Sequence, residues 1–487
     1  LKNWSLNMLV ALKKILTLPV ASLLDRVEVD SKTQSRLWIL MSIGTLLLSG
    51  FFSVIIVLGR APIISELISD PLFAKRGLVV HVDLALLIWI YAFLCGLFVL
   101  VPTRKNGNRL LPMGYALAVT GVGMLVASIF VPSAEPVLSN YIPVLDHPLF
   151  IGGLLFFAGG VACTVFNTRI IPSSNQSSFT TNTIFPASSI PGFRSAAVIL
   201  LISLITFFSS WLVTPMGLEV LTYYELTIWG GGHLLQFVNV AAMLSVWIIL
   251  LGELLGKNPI SYRVSAVLFG IYTLPLLAAP LLTMNGTGDL LYHWGFTRFM
   301  QWGIFPVVTI FVGIIVTKLV RARANNELPK QILRNPYFGG LVTSMLLTII
   351  GFILGAMIRG SNTMVPAHYH AAVGGITVAF MAITYFLLEV HGVPIPKGRL
   401  KKLAAIQPLL FGLGQAIFAA GFGYAGAHGL ARKSFGSEQH IGSIEAFVGL
   451  GFMTVGGLLA VSGGLLFLWI VVKAWMNRKN SPFQSNP

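Results

Sequence analysis

The chain has 487 residues, 55% of them hydrophobic and only 10% charged, with a mean hydropathy of +0.83. A soluble globular chain carries roughly 25% charged residues, so this composition excludes a soluble protein and indicates a polytopic membrane protein. The net charge of +16 does not indicate nucleic acid, because Lys and Arg fall in short connections between apolar runs, as positive-inside topology requires.

Residues 1–36 form a cytoplasmic or interfacial N-terminal segment, in which Lys13–Leu24 reads as an interfacial helix. Twelve apolar runs long enough to cross a bilayer follow, at 37–59, 78–101, 111–130, 143–166, 196–213, 226–255, 264–282, 299–317, 337–358, 364–388, 404–424 and 447–472. The longest connection, Pro172 to Arg194, is rich in Ser, Thr, Asn and Pro and reads as a polar loop. A tail at 473–487 closes the chain. The expected fold is therefore all-α, one polytopic bundle of about twelve transmembrane helices over 37–472, with no second soluble domain.

Charge sets the orientation. The N-terminus and the connections after even-numbered spans hold Arg104, Lys105, Arg109, Arg321, Arg323, Lys397, Arg399 and Lys473, whereas the odd connections hold Glu135, Asp146 and Glu219. Both termini are expected on the cytoplasmic side. Cys95 and Cys163 each lie in an apolar span, and there is no CxxCH, so covalent haem attachment, a disulfide framework and a zinc site are not indicated.

The informative polar residues are histidines within the spans. His368 and His370 lie near the outer start of the tenth run; on a helix, positions i and i+2 project about 200° apart. Such a pair suits poorly a single metal ion. It suits a helix wedged between two large cofactors, each taking one axial nitrogen, and haem is the obvious candidate. His81 in span 2 and His233 in span 6 occupy the same outer layer. Any one of these histidines alone would be a satisfied core or interfacial residue, and His147, His391, His428 and His440, at span ends or in loops, are read that way. The GGG before His233 reads as a close-packing device or as room for the edge of a haem. Asp83 is left with two readings, a partner to an imidazole or carboxylate, or a solvated position.

These segments resemble subunit I of the haem–copper oxidase superfamily, on the side of its cbb-type oxidases and nitric oxide reductases. The matching segments are RGLVVHVDLALLIW around His81, WGGGHLLQFVNVAAM around His233, SYRVS at Ser261–Ser265, AHYHAAVGGITVAFMAITYF around His368 and His370, and AGAHGLARK after span 11. The resemblance implies two haems of b type. His81 and His370 would be the axial pair of a low-spin haem, His368 the proximal ligand of a high-spin haem, and Arg432 and Lys433 the partners of haem propionates. It also implies a second metal held by a span-6 histidine and two adjacent span-7 histidines. His233 matches the first, but Leu281 and Leu282 fall where the pair is expected, and Phe237 stands where nitric oxide reductases have a glutamate. Tyr272 lies near the family's active-site tyrosine, out of register. His293, placed in the connection after span 7, would have to fold back to contribute.

The resemblance thus implies a respiratory electron-transfer subunit of a larger membrane redox complex in a bacterial inner membrane. Its partners would be other subunits, a c-type cytochrome or quinol, and the lipid bilayer. The copper or non-haem iron is not supported by the ligand pattern. Two rival readings stay open: an active O2 or NO reductase with an atypical second metal, and a twelve-span secondary transporter. The transporter predicts internal two-fold likeness and charged midplane residues, which are not evident.

Overall fold

A computed structural model describes residues 30–58, 72–101, 110–167, 184–256, 258–432 and 442–477. The Lys13–Leu24 segment and Lys433 lie outside the described residues. Among the described residues, twelve helices are long and apolar enough to span a membrane, matching the twelve runs one to one. They are α1 (Ser31–Ser53), α2 (Phe73–Leu100), α3 (Leu110–Ser128), α4 (Pro148–Asn167), α5 (Ala187–Val213) and α6 (Val220–Leu255), then α7 (Tyr262–Thr283), α8 (Leu290–Ala324), α9 (Pro336–Ala356), α10 (Met364–Val390), α11 (Arg399–Ala427) and α12 (Ile444–Asn477).

The helices are not equally buried. The most apolar windows of α6, α10 and α2 are 89%, 83% and 78% buried, against 28% for α3, α7 and α8. The three deepest helices are the three that carry His233, the His368/His370 pair and His81. Lipid-facing helices can leave Leu, Phe and Val uncovered because the bilayer is as apolar as they are; Leu277 and Leu281 of α7, Trp302 of α8 and Phe452 of α12 are such residues.

Helix contacts follow residue size. Where no hydrophobic drive brings helices together in lipid, close van der Waals approach does. On α11 and α12, a Cβ at Gly421 would lie 2.6 Å from the Gly449 carbonyl oxygen, and one at Gly456 would lie 2.2 Å from Phe418 N. At the centre, Trp247 of α6 donates to Ser344 Oγ of α9 at 2.7 Å, and that hydroxyl donates to the Gly375 carbonyl of α10 at 2.7 Å. Ser344 thereby ties three helices together at one point.

Three expectations change. The Pro172–Arg194 loop ends earlier than expected, because a 3₁₀ turn at Ala187–Ser189 leads into helix from Ile190, with Pro191 in the first turn, where its missing N–H costs nothing. His293 is not in a loop: α8 opens at Leu290, capped by Asp289, whose carboxylate accepts from Leu291 N at 2.6 Å. Asp83 is not solvated; it is 1% exposed. The connection between α3 and α4, unread in the sequence, holds a small antiparallel hairpin of β1 (Glu135–Val137) and β2 (Val144–Asp146).

At the end of the bundle opposite the histidine layer, His391 follows α10 and its Nε2 lies 3.3 Å from Ser35 Oγ of α1. Burial, reinforced by the cations Arg36 and Lys32, pulls its pKa down to about 4. The unfolded chain therefore binds the proton first as pH drops. The associated stability is complete above pH 6.5 and is lost as pH falls toward 4. Thermal unfolding in detergent is expected to show a Tm that declines from pH 7 to 5, with the slope reduced in His391→Gln. Equal slopes in both proteins would refute this role.

Candidate functional site

Each buried imidazole has two nitrogens, and the hydrogen bond made by one decides what the other can do. His81 presents Nδ1 to the Ser49 carbonyl of α1 at 2.8 Å, with Ser49 Oγ 3.0 Å away. His368 presents Nδ1 to the Gly351 carbonyl of α9 at 2.7 Å. A ring that donates through Nδ1 to a carbonyl is fixed in the tautomer whose Nε2 carries a lone pair, the arrangement typical of metal-ligating histidine. His370 has no hydrogen-bond partner among the described residues; its ring lies 4.6 Å from the Phe418 ring of α11. The two rings of the HYH pair thus leave α10 on different sides, one against α9 and one against α11, as helix geometry requires.

His81 reaches the α10 side of α2 through an irregularity. Deeper in the bundle, Phe93 of α2 stacks on Phe380 of α10 with centroids 4.7 Å apart. On an unbroken α-helix the twelve residues from His81 to Phe93 would leave His81 about 120° from that face. A π-helical turn at Leu84–Ile88 takes up one extra residue. The offset falls to about 20°, and His81 lies on the face that α2 turns to α10. His81 stands about 16 Å above Phe93 and His370 about 15 Å above Phe380, at 1.5 Å per residue, so the two histidines share one depth.

His233 is arranged differently. Its Nδ1 donates to the Trp229 carbonyl at 2.7 Å, and its Nε2 lies 3.0 Å from the Tyr141 hydroxyl. Burial pushes the Tyr141 phenol up, so Tyr141 is the donor and both ring nitrogens are taken. The glycines before His233 make this possible. A Cβ at Gly232 would come within 2.7 Å of the Tyr141 ring, one at Gly231 within 2.5 Å of Phe207 and one at Gly230 within 2.8 Å of Phe296. Tyr141 itself adopts φ 68, a left-handed backbone rare for a bulky residue, at the tip of the β1–β2 hairpin. The Trp229 ring lies 4.5 Å from His233 and 5.3 Å from His293.

The α7 positions read against a histidine pair lie in a 3₁₀ stretch, Leu274–Thr283. Leu281 is 63% exposed, and Leu282 packs on Gly295 of α8. Tyr272 donates to the Phe237 carbonyl at 3.0 Å. Arg432, after α11, donates to Asn140 Oδ1 at 2.8 Å, and Asn140 Nδ2 donates to Glu225 of α6 at 2.9 Å. Asn140 and Tyr141 are neighbours, so one hairpin tip holds both Arg432 and His233. Nothing in the sequence marked that tip. No group of three or more His, Cys, Asp or Glu able to hold a metal occurs among the described residues.

Among the described residues, nine apolar helices around three more deeply buried, histidine-bearing ones make this a multi-pass membrane protein with the haem–copper oxidase subunit I fold. Among solved structures the chain is similar to a heme-copper terminal oxidase dimer determined by cryo-EM, with a TM-score of 0.68 and 18% identity over 92% of this chain and 84% of that one. Among curated sequences it is similar to an uncharacterized protein of Aquifex aeolicus (strain VF5), 29% identical over 77% of this chain and 89% of that protein. It also resembles an uncharacterized protein of Rickettsia prowazekii (strain Madrid E), 25% identical over 90% of this chain and 94% of the relative. No protein-family model matches.

Proposed function

We propose that the chain is a haem-binding respiratory membrane subunit of haem–copper oxidase descent. It would carry electrons through two b-type haems in a larger redox complex of a bacterial inner membrane. The observation that carries this is the divergence of the two α10 imidazoles, His368 onto α9 and His370 onto α11, with His81 at the depth of His370. His81 and His370 would hold one haem, the low-spin one, between two helices, and His368, with Nδ1 anchored, would hold a second. Haem bound there supplies one-electron chemistry.

The chain's own groups set the conditions for it. The Ser49 and Gly351 carbonyls hold the ring tautomers, raising ligand basicity. Arg432 keeps further N–H groups beside the one given to Asn140, and guanidinium matches a propionate carboxylate in geometry and charge. Lys433 is the second cation of that pair by resemblance. The histidine layer faces the periplasm and both termini the cytoplasm, since the basic last turns of α8, Arg321 and Arg323, lie at the opposite end. Electrons would enter from a c-type cytochrome, quinol or a partner subunit.

The residues around His233 do not fit a copper ion. A stable site takes about three imidazoles, whereas both His233 nitrogens are engaged and Leu281 and Leu282 offer no donor atoms. The active O2 or NO reductase reading therefore needs ligands from elsewhere. A pyridine-haemochrome assay with elemental analysis on purified protein is expected to give two haems per chain and no stoichiometric copper. A colourless protein overturns the proposal. About one copper or non-haem iron per chain replaces it with the reductase.

A further inference from the structure

Asn239, six residues below His233 on α6, is 3% exposed, and its Oδ1 has no hydrogen-bond partner among the described residues. Its Nδ2 makes one long contact, 3.5 Å to Gln236 Oε1. A buried carboxamide left in that condition is destabilising, and such groups in native proteins accompany a bound water, ion or ligand or a functional role.

Its place in the bundle gives the role. Asn239, Met243 and Trp247 follow one another at helical intervals on one side of α6. That side faces α9: Trp247 bonds to Ser344, and Met243 Sδ accepts from Thr348 Oγ1 at 3.6 Å. From the Met243–Thr348 contact, Asn239 lies about 6 Å toward the histidine end along α6. Gly351 lies about 4.5 Å in the same direction along α9. The Gly351 carbonyl is the group that holds His368 Nδ1. Asn239 and the His368 ring therefore stand at one depth, on helices that Ser344 joins.

We infer that Asn239 is the hydrogen-bonding residue for a diatomic ligand of the O2, NO or CO class on the iron held by His368. Gln236 orients its amide. The inference rests on the haem reading above. It makes the second haem a ligand-binding centre without a second metal: the polar group opposite the open coordination position is a neutral carboxamide, and His233 is tied to Tyr141. Donors in a distal pocket decide whether a haem retains a ligand or passes electrons. The amide offers Nδ2–H to the ligand's outer atom, and its Oδ1 can accept from a water.

The test uses the full chain in detergent, reduced with dithionite, with CO as the first probe and O2 as the second after the excess dithionite is removed. A donor to bound CO draws electron density into the ligand and weakens the C–O bond. Asn239→Leu is expected to raise the C–O stretch and to speed O2 dissociation about tenfold, the factor for one hydrogen bond. Haem content and the low-spin spectrum should be unchanged. If that variant loses haem, Asn239→Ser is read by the same criteria. Two haems with CO bound and an unshifted stretch overturn the inference while the haem reading stands, as do two haems that bind no CO. Absence of any haem overturns both.

Discussion

His370→Leu and His81→Leu are each expected to abolish the same low-spin haem signal and to lower haem content from two per chain to one, leaving a CO-reactive haem in place. The two residues come from different helices and share no direct contact, so identical spectral losses follow only if one iron joins them. Depth and face both permit this: the Phe93–Phe380 stack fixes the register of α2 against α10, and the π turn brings His81 onto the α10 side. Ser49→Ala serves as the contrast. The Ser49 carbonyl, at 2.8 Å from His81 Nδ1, is main chain and survives the substitution, whereas the Oγ contact at 3.0 Å is lost. Its low-spin haem should persist with at most a small change in potential. A reduced-minus-oxidised spectrum that keeps the low-spin band in either histidine variant would refute the pairing.

Much of this architecture is legible from residue order, for identifiable reasons. Span number follows from bilayer thickness and 1.5 Å per residue, and the divergence of His368 and His370 follows from 3.6 residues per turn. What stayed hidden depends on a third dimension. The segment LALLI after Asp83 has no sequence mark of a π turn, yet that turn determines which face His81 occupies. His293 reads as a loop residue because the polar run before Trp294 breaks the hydropathy pattern; Asp289 capping extends the helix through it. Tyr141 carries no motif, and its link to His233 depends on a hairpin of three-residue strands and on a glycine 91 positions later in sequence, Gly232, having no side chain. Arg432 was legible as a cation after span 11 but not as a partner of Asn140. Asn239 sat in plain view within HLLQFVN, with no sign that its amide would be buried without a full set of partners.

The second large effect is expected at His368, and its neighbours allow a graded test. His368→Ala should remove the CO-reactive haem while sparing the low-spin one, the converse of the His370 result. Gly355 of α9 then separates ligation from packing: a Cβ built there would stand 2.8 Å from His368 Nδ1 and 2.9 Å from Cε1. That distance is too short for any Cβ contact, so Gly355→Ala must shift the imidazole off its line to the Gly351 carbonyl without removing it. Disturbing the carbonyl contact that orients a ligating histidine weakens metal binding about 10–100-fold. Gly355→Ala is accordingly expected to retain both haems at high haem supply and to lose the CO-reactive one first as supply is limited. Gly355→Leu should match His368→Ala. Gly360, in the connection before α10 with open space around its Cα, provides the control, and Gly360→Ala should leave both haems untouched. If Gly355→Leu keeps a full CO-reactive haem, the His368 ring is not where that iron is held, and the assignment of two irons to the two sides of α10 fails with it.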